Sequence, residues 1–409
     1  MNVKTFRARR GLMAAAAATT AILLAGCAGG DSGAGADGDE PYRILVLGAL
    51  SAEGALGINA STSVLAAQAG AKIANEDGGI LGRDVEVEVV DDQADPTAAV
   101  TLVREAINSD TPPDAILNSG PSQVADATLP IINQAGILSF NIGPTKTSLD
   151  PGVFPLNFDI SAGPSHHVIG QANHFKEMGY SSVGVLHGSS SYGESYGNLA
   201  NEGFAEAGFD VTGNEEYDVA SLDMTPQLEA LRAKNPDALA LDAYGAPLGY
   251  VLQGLEKLGW DVPIAGNVSV SATGLVSSPP PSGVLGTEQV QNLVMEVYKS
   301  TVYDPEATVT NRAVEAMLSI APIKATLILA YNYDAVMLLK AAAESVGSTE
   351  DAGALAAALE DPEVTKNAET AILNQYIFSA DEHAPVIAGD EFRFIPPSAI
   401  KDGQFHVAK

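Results

Sequence analysis

The sequence predicts an α/β protein of two lobes, each a parallel sheet flanked by helices, and three observations carry that expectation. Short apolar runs alternate with amphipathic stretches of helical length, the pattern of parallel strands joined by right-handed crossovers. The alternation runs from Arg43 to about Phe140 and starts again after Phe154. The chain, at 409 residues, is long for one domain, and its 46% hydrophobic content is enough to fill two cores.

The first series opens with Arg43-Ile44-Leu45-Val46-Leu47-Gly48, an apolar strand ending in glycine, and an alanine-rich helical pattern follows from about residue 59 to 75. Asp77-Gly78-Gly79 breaks that helix, and Val85-Glu86-Val87-Glu88-Val89-Val90 alternates with the period of a strand. Val100, Val103 and Ile107 mark a second amphipathic helix. The alternation continues through Ala115-Ile116-Leu117, Leu129-Pro130-Ile131-Ile132 and Ile137-Leu138-Ser139-Phe140. After Phe154-Pro155-Leu156-Asn157-Phe158 the second series places strands at 182–187, 210–212, 238–241 and 263–265, with helices near 167–178, 196–207, 224–234 and 247–258. The proline-rich stretch 277–283 reads as a stiff loop, and 332–345 as another long helix. Ligands of open parallel sheets lie beyond the carboxyl ends of the strands, so the loops after Leu47, Leu117, Phe140, Leu186 and Leu241 are the expected binding loops.

The N-terminus carries Lys4, Arg7, Arg9 and Arg10, then an apolar run from 12 to 24 that is too short to span a bilayer, then Leu24-Ala25-Gly26-Cys27. That order resembles a bacterial lipoprotein signal peptide with its lipobox. It implies that 1–26 is removed and that Cys27 carries a lipid, tethering the protein to the outer face of the cell membrane. Arg9-Arg10 also resembles a twin-arginine signal, so the general and twin-arginine export routes both stay open. Residues 27–41 are rich in glycine and acid, with no apolar face to bury, and are expected to form a flexible tether. Cys27 is the only cysteine, so neither an internal disulfide nor a catalytic thiol is expected. The formal charge of −30, or −34 without the basic leader, repels nucleic acid and anionic lipid and excludes both as partners. A monomer without cofactors is expected.

Asn75-Glu76-Asp77-Gly78-Gly79-Ile80-Leu81-Gly82-Arg83, the strand after it and Asp95-Pro96-Thr97 are similar to the signature of branched-chain amino-acid and amide binding proteins that feed ABC importers. Ser191-Tyr192-Gly193-Glu194, Asn235-Pro236-Asp237-Ala238, Tyr333-Asp334-Ala335-Val336 and Lys401-Asp402-Gly403-Gln404-Phe405 follow in that family's order, so the resemblance runs from Tyr42 to the C-terminus. It implies a leucine-binding-protein-like, type I periplasmic-binding (Venus flytrap) fold whose lobes are joined by three crossover strands. Lobe 1 would comprise 42–158 and 288–372, and lobe 2 159–287 and 373–409. The resemblance also implies a solute held in the cleft by hinge closure and passed to an ABC permease.

The loops Asn118-Ser119-Gly120-Pro121-Ser122-Gln123 and Phe140-Asn141-Ile142-Gly143-Pro144-Thr145 offer neutral donors fixed by backbone turns, which suit a desolvated carboxylate. Taken alone, a loop serine such as Ser122 reads as a helix cap. The resemblance instead puts the hydroxyls of Ser122 and Thr145, with Gly143 beside them, on the ligand carboxylate. It makes Tyr192 and Tyr244 aromatic walls from the second lobe and Leu56 a further ligand contact. Val268 stands where amino-acid binders of the family carry a glutamate for the ligand ammonium, and a valine accepts nothing. Losing such a carboxylate is worth about a hundredfold in affinity. The expected solute is therefore a small organic carboxylate or amide with an apolar remainder. Leucine, isoleucine and valine return as ligands if Asp242 or Glu53 supplies the missing charge from a neighbouring loop.

Other classes of function find little material. His166, His167, His174 and His187 with Asp159 are the best candidates for catalysis, but His167 and His174 are seven apart, whereas one zinc favours spacings of three or four. Solvated helix surface is the expectation for them, with no metal site. Gly188-Ser189-Ser190-Ser191-Tyr192-Gly193 is not a Gly-x-Ser-x-Gly nucleophile elbow and no phosphate-binding glycine loop occurs, so no catalysis is expected. A ligand sensor on the same fold would need a separate signalling partner.

Overall fold

The structure, a computed structural model, describes residues 40–387 and 391–407. The expected signal peptide, Cys27 and nearly all of the tether lie outside them. The first sheet is built from β1 (Tyr42–Gly48), α1 (Ala55–Glu76), β2 (Val85–Asp91), α2 (Pro96–Ile107), β3 (Ala115–Asn118), α3 (Ser122–Ala135), β4 (Leu138–Asn141) and β5 (Asn157–Asp159). Its strands lie in the order β2-β1-β3-β4-β5, each pair parallel. The chain then enters α4 (Pro164–Glu177), β6 (Ser182–Gly188), α5 (Ser191–Glu206), β7 (Asp210–Tyr217), α6 (Thr225–Arg232), β8 (Ala238–Leu241), α7 (Ala246–Leu258), β9 (Ile264–Gly266), α8 (Val268–Ser271) and β10 (Leu293–Tyr298). It returns to the first sheet as α9 (Thr308–Ile320), α10 (Tyr331–Val346), α11 (Ala352–Leu359) and α12 (Pro362–Thr365), with α9 and α10 packed on α1. Finally β11 (Phe392–Ile395) joins the second sheet, and β12 (Ala399–Lys401) and β13 (Gln404–His406) form a hairpin. The second sheet has the order β11-β10-β9-β8-β6-β7, with only β10 and β11 antiparallel.

Both sheets are covered on both faces, which is why their central strands are apolar throughout rather than alternating. Ile44 and Val46 of β1 pack with Val64 and Val336 from α1 and α10, while Leu45 and Leu47 meet Val103 and Ile132 from α2 and α3. In the second sheet Val183, Val185 and Ala240 face Phe175 and Phe204, and Leu239 and Leu241 face Leu228 and Leu252. Each such side chain contributes about 1.5–3 kcal/mol by leaving water. The glycine pair and Asp-Pro of the sequence signature have local causes. Gly79 turns the chain at φ 77°, where a Cβ would lie 2.1 Å from the Arg83 carbonyl oxygen. Asp95 caps α2 by accepting the N–H groups of Thr97 and Ala98 ahead of Pro96 in the first turn, a cap worth about 1 kcal/mol.

The chain passes between the sheets after β5, after β10 and before β11. The first two passages are short irregular or 3-10 segments rather than regular strands. The expected lobe boundaries shift accordingly. Residues 293–298, placed by sequence with lobe 1, form β10 of the second sheet. Part of 373–409, placed with lobe 2, packs on the first sheet instead: the His383 ring stacks on Phe158 at 3.9 Å and its carbonyl accepts the Asp159 N–H.

The histidine expectation is also corrected. His167 is fully buried, with Nδ1 2.7 Å from Oε2 of the equally buried Glu296. Burial pushes the imidazole down to about 4 and raises the Glu296 carboxyl well above the ordinary carboxylate range. His174 stacks on Phe394, ring centroids 4.3 Å apart. α4 lies against β10 and β11, and neither strand was placed beside it by the sequence, so this face had looked solvated.

Candidate functional site

A cavity of about 670 Å³ opens where the carboxyl ends of the two sheets face each other. All five expected binding loops reach it, through Leu56 after β1, Ser122 after β3, Gly143 after β4, Tyr192 after β6 and Tyr244 after β8. The loop after β9 adds Val268, and the segment entering α10 adds Ile328, Leu329 and Tyr331. Glu53 stands exposed at its edge.

On the first wall α3 starts at the cavity. Its N-cap position is Pro121, which has no capping side chain, so Ser122 is the first helical residue and its hydroxyl is not spent on a cap. The N–H groups of Val124 and Ala125 return to the Pro121 carbonyl, while those of Ser122 and Gln123 have no acceptor in the described chain. A helix start with free amides and a partial positive charge favours an anion. Gly143 lies against this start, since a Cβ there would be 2.9 Å from both the Ser122 nitrogen and the Gly120 carbonyl oxygen. Its own amide is taken, donating to Asn141 Oδ1 at 3.2 Å.

Thr145 departs from expectation and does not line the cavity. Its Oγ1 accepts the N–H groups of Thr147 and Ser148 at 3.3 and 3.1 Å, and its own N–H donates to Ser148 Oγ. The hydroxyl oxygen closes the turn that carries it, a local use of threonine.

On the second wall, burial raises the Tyr192 hydroxyl well above its ordinary value, and the buried oxygen has no partner among the described residues. Ser161, which is 6% exposed, likewise leaves its Oγ unpartnered beside the cavity. Tyr244 spans the gap instead of standing free, its hydroxyl accepting from Asn59 Nδ2 of α1 at 2.7 Å. A second link across the mouth is the exposed pair Lys146 and Glu194, 2.5 Å apart. Val268 is buried and apolar, as its side chain requires.

Asp242 lies at the end of β8, 4% exposed, and lines the same cavity. Its Oδ1 accepts from Nδ2 of the fully buried Asn267 at 2.9 Å, and Asn267 Oδ1 accepts the Ser269 N–H, which fixes the orientation of the amide. Burial raises the carboxyl, opposed by the bonds from Asn267 and Ser269. Sequence reading missed Asn59, Asn267, Ser161 and Tyr331. Asn59 and Asn267 left a signal, a polar residue at the edge of an apolar element, but periodicity assigns such a residue no direction. Among the described residues no group of three or more His, Cys, Asp or Glu side chains is placed to hold a metal ion, and no helix is long and apolar enough to cross a membrane.

Comparison with known proteins places this cleft in context. The family model described as periplasmic binding protein matches residues 41–386. The Leu/Ile/Val-binding protein homolog 3 of Brucella melitensis is 22% identical over 309 residues, 75% of this chain and 79% of that protein. Among solved structures, a periplasmic binding protein type 1 from Bordetella pertussis superposes with a TM-score of 0.72 at 19% identity, covering 90% of this chain and all of that one. A leucine binding protein from Thermotoga maritima gives 0.65 at 21% identity, covering 86% of this chain and 97% of its own.

Proposed function

The chain belongs to the periplasmic binding protein family, and on that premise we propose that it is the extracytoplasmic solute-capturing component of an ABC importer. It takes a small solute bearing a carboxylate and an apolar body, with branched-chain amino acids leading the candidates because relatives at 22% identity carry Leu/Ile/Val-binding names. The observation that carries the reading is the start of α3, where the unaccepted amides of Ser122 and Gln123 open onto an otherwise largely apolar cavity. A carboxylate placed there exchanges water for fixed donors, and the walls remove apolar surface from water. Closure of the two lobes on the solute, by its higher affinity for the closed form, would present one shape to a permease. Cys27, outside the described residues, would hold the protein to the membrane by lipid. The cleft needs no catalysis for this role.

A thermal-shift screen of amino acids, oxo acids, aromatic acids and amides tests the reading, because a solute that binds only the native form raises the melting temperature. At least one carboxylate in the panel is expected to do so. No shift with any of them would contradict the proposal.

A further inference from the structure

We propose that Asp242 is the acceptor for a cationic amino group of the solute, so that the cleft holds a zwitterion with its carboxylate on the α3 wall and its ammonium on the β8 wall. The inference rests on the solute-binding reading above and names the residue that decides which carboxylates are taken.

Four features of the site converge on it. Asp242 is a carboxylate brought to the cavity wall at 4% exposure, and it is in no ion pair among the described residues. A buried carboxylate without a counter-charge is costly, and the cost is relieved when a cation is delivered to it. Its carboxylate accepts from Asn267 Nδ2 at Oδ1, 2.9 Å away, and from the Ser269 hydroxyl. A carboxylate offers about four lone-pair sites, so acceptor capacity remains. Tyr192 and Ser161 line the same cavity, and their buried hydroxyl oxygens have no partner among the described residues, so each can turn to accept from an ammonium beside Asp242. The neighbouring wall residue Val268 is apolar and buried, and among the described residues lining the cavity the one other carboxylate, Glu53, belongs to the opposite lobe and is exposed. Asn267 acts as a positioning residue. Its amide is oriented by the Ser269 N–H, and it holds Asp242 at the wall without reaching the solute itself.

The test compares leucine and phenylalanine with their 2-oxo acids, which keep the carboxylate and side chain and lack the ammonium. Calorimetric titration of the wild-type protein is expected to favour each amino acid over its oxo acid by about a hundredfold, the scale of one desolvated charge pair. In Asp242→Asn that preference should collapse to within a few-fold, with oxo-acid affinity little changed. Oxo acids binding the wild type as tightly as the amino acids would overturn the assignment while leaving the solute-binding reading intact. Retention of the full preference by a folded Asp242→Asn protein would overturn it too. If no probe of either kind binds, the solute-binding reading for this class fails and the assignment falls with it. The wild-type comparison needs no variant, so a misfolded Asp242→Asn protein does not spare the proposal.

Discussion

Ser122 and Thr145 carry the same hydroxyl chemistry on adjacent loops, and their backbones decide its use. At Ser122 the preceding proline leaves the helix start uncapped and the hydroxyl uncommitted, whereas Thr145 closes its own turn by accepting two amides. Thr145→Ala should therefore lower the urea midpoint by the equivalent of about 1 kcal/mol. Ser122→Ala should leave stability within about 0.5 kcal/mol and weaken solute binding several-fold. Paired denaturation and titration check this, and the reverse pattern would put the Thr145 hydroxyl in the cleft. Asp159 offers a second test. Burial raises its carboxyl to about 7 although Ser148 and Asn141 donate to it at 2.6 and 2.8 Å. A carboxyl raised on folding contributes stability that is complete below the unfolded value near 4 and lost as pH climbs toward 7. The advantage of wild type over Asp159→Asn should shrink by on the order of 1 kcal/mol per pH unit across that window. Urea midpoints at pH 4.5 and pH 7 measure it, and a gap that widens would mean the carboxyl is ionised in the fold.

Elements differed in how much of themselves they showed in advance. The parallel strands and their helices were legible because burial on both faces writes itself as apolar runs of strand length, as in β1, β3, β6 and β8, and because α2 announces its start with Asp95-Pro96. The passages between sheets were not. They are too short to carry a period, and β10 is reached only after the proline-rich loop, so nothing local says which sheet it joins. His167 and Glu296 were invisible as a pair because 129 residues, the proline-rich loop among them, separate them. Cavity-lining residues were legible where they follow strands, as with Tyr192 and Tyr244. They were not legible where a helix face supplies them, as with Asn59. Asp334 shows how a passage is held. From within α10 its carboxylate accepts the N–H groups of Ala371, Ile372 and Leu373 and the Tyr376 hydroxyl. Asp334→Ala would leave those donors buried without an acceptor and should cost about 3 kcal/mol or more. Calorimetric unfolding decides it, and a loss below about 1 kcal/mol would mean that water replaces the carboxylate.

At the scale of the whole molecule, two sheets present their carboxyl ends to one gap, and the chain crosses between them three times. Neutral donors lie on one wall and the buried Asp242 carboxyl on the other, so ionised Asp242 would polarise the gap within a chain whose formal charge is −30. That polarity is what distinguishes a solute trap from two domains that merely touch. The structure of the protein in complex with the tightest-binding amino acid tests this most directly. The expected result is a carboxylate within hydrogen-bonding distance of the Ser122 and Gln123 amides and an amino group on Asp242. A solute bound outside the gap, or lying in it with its amino group against α3, would contradict the account.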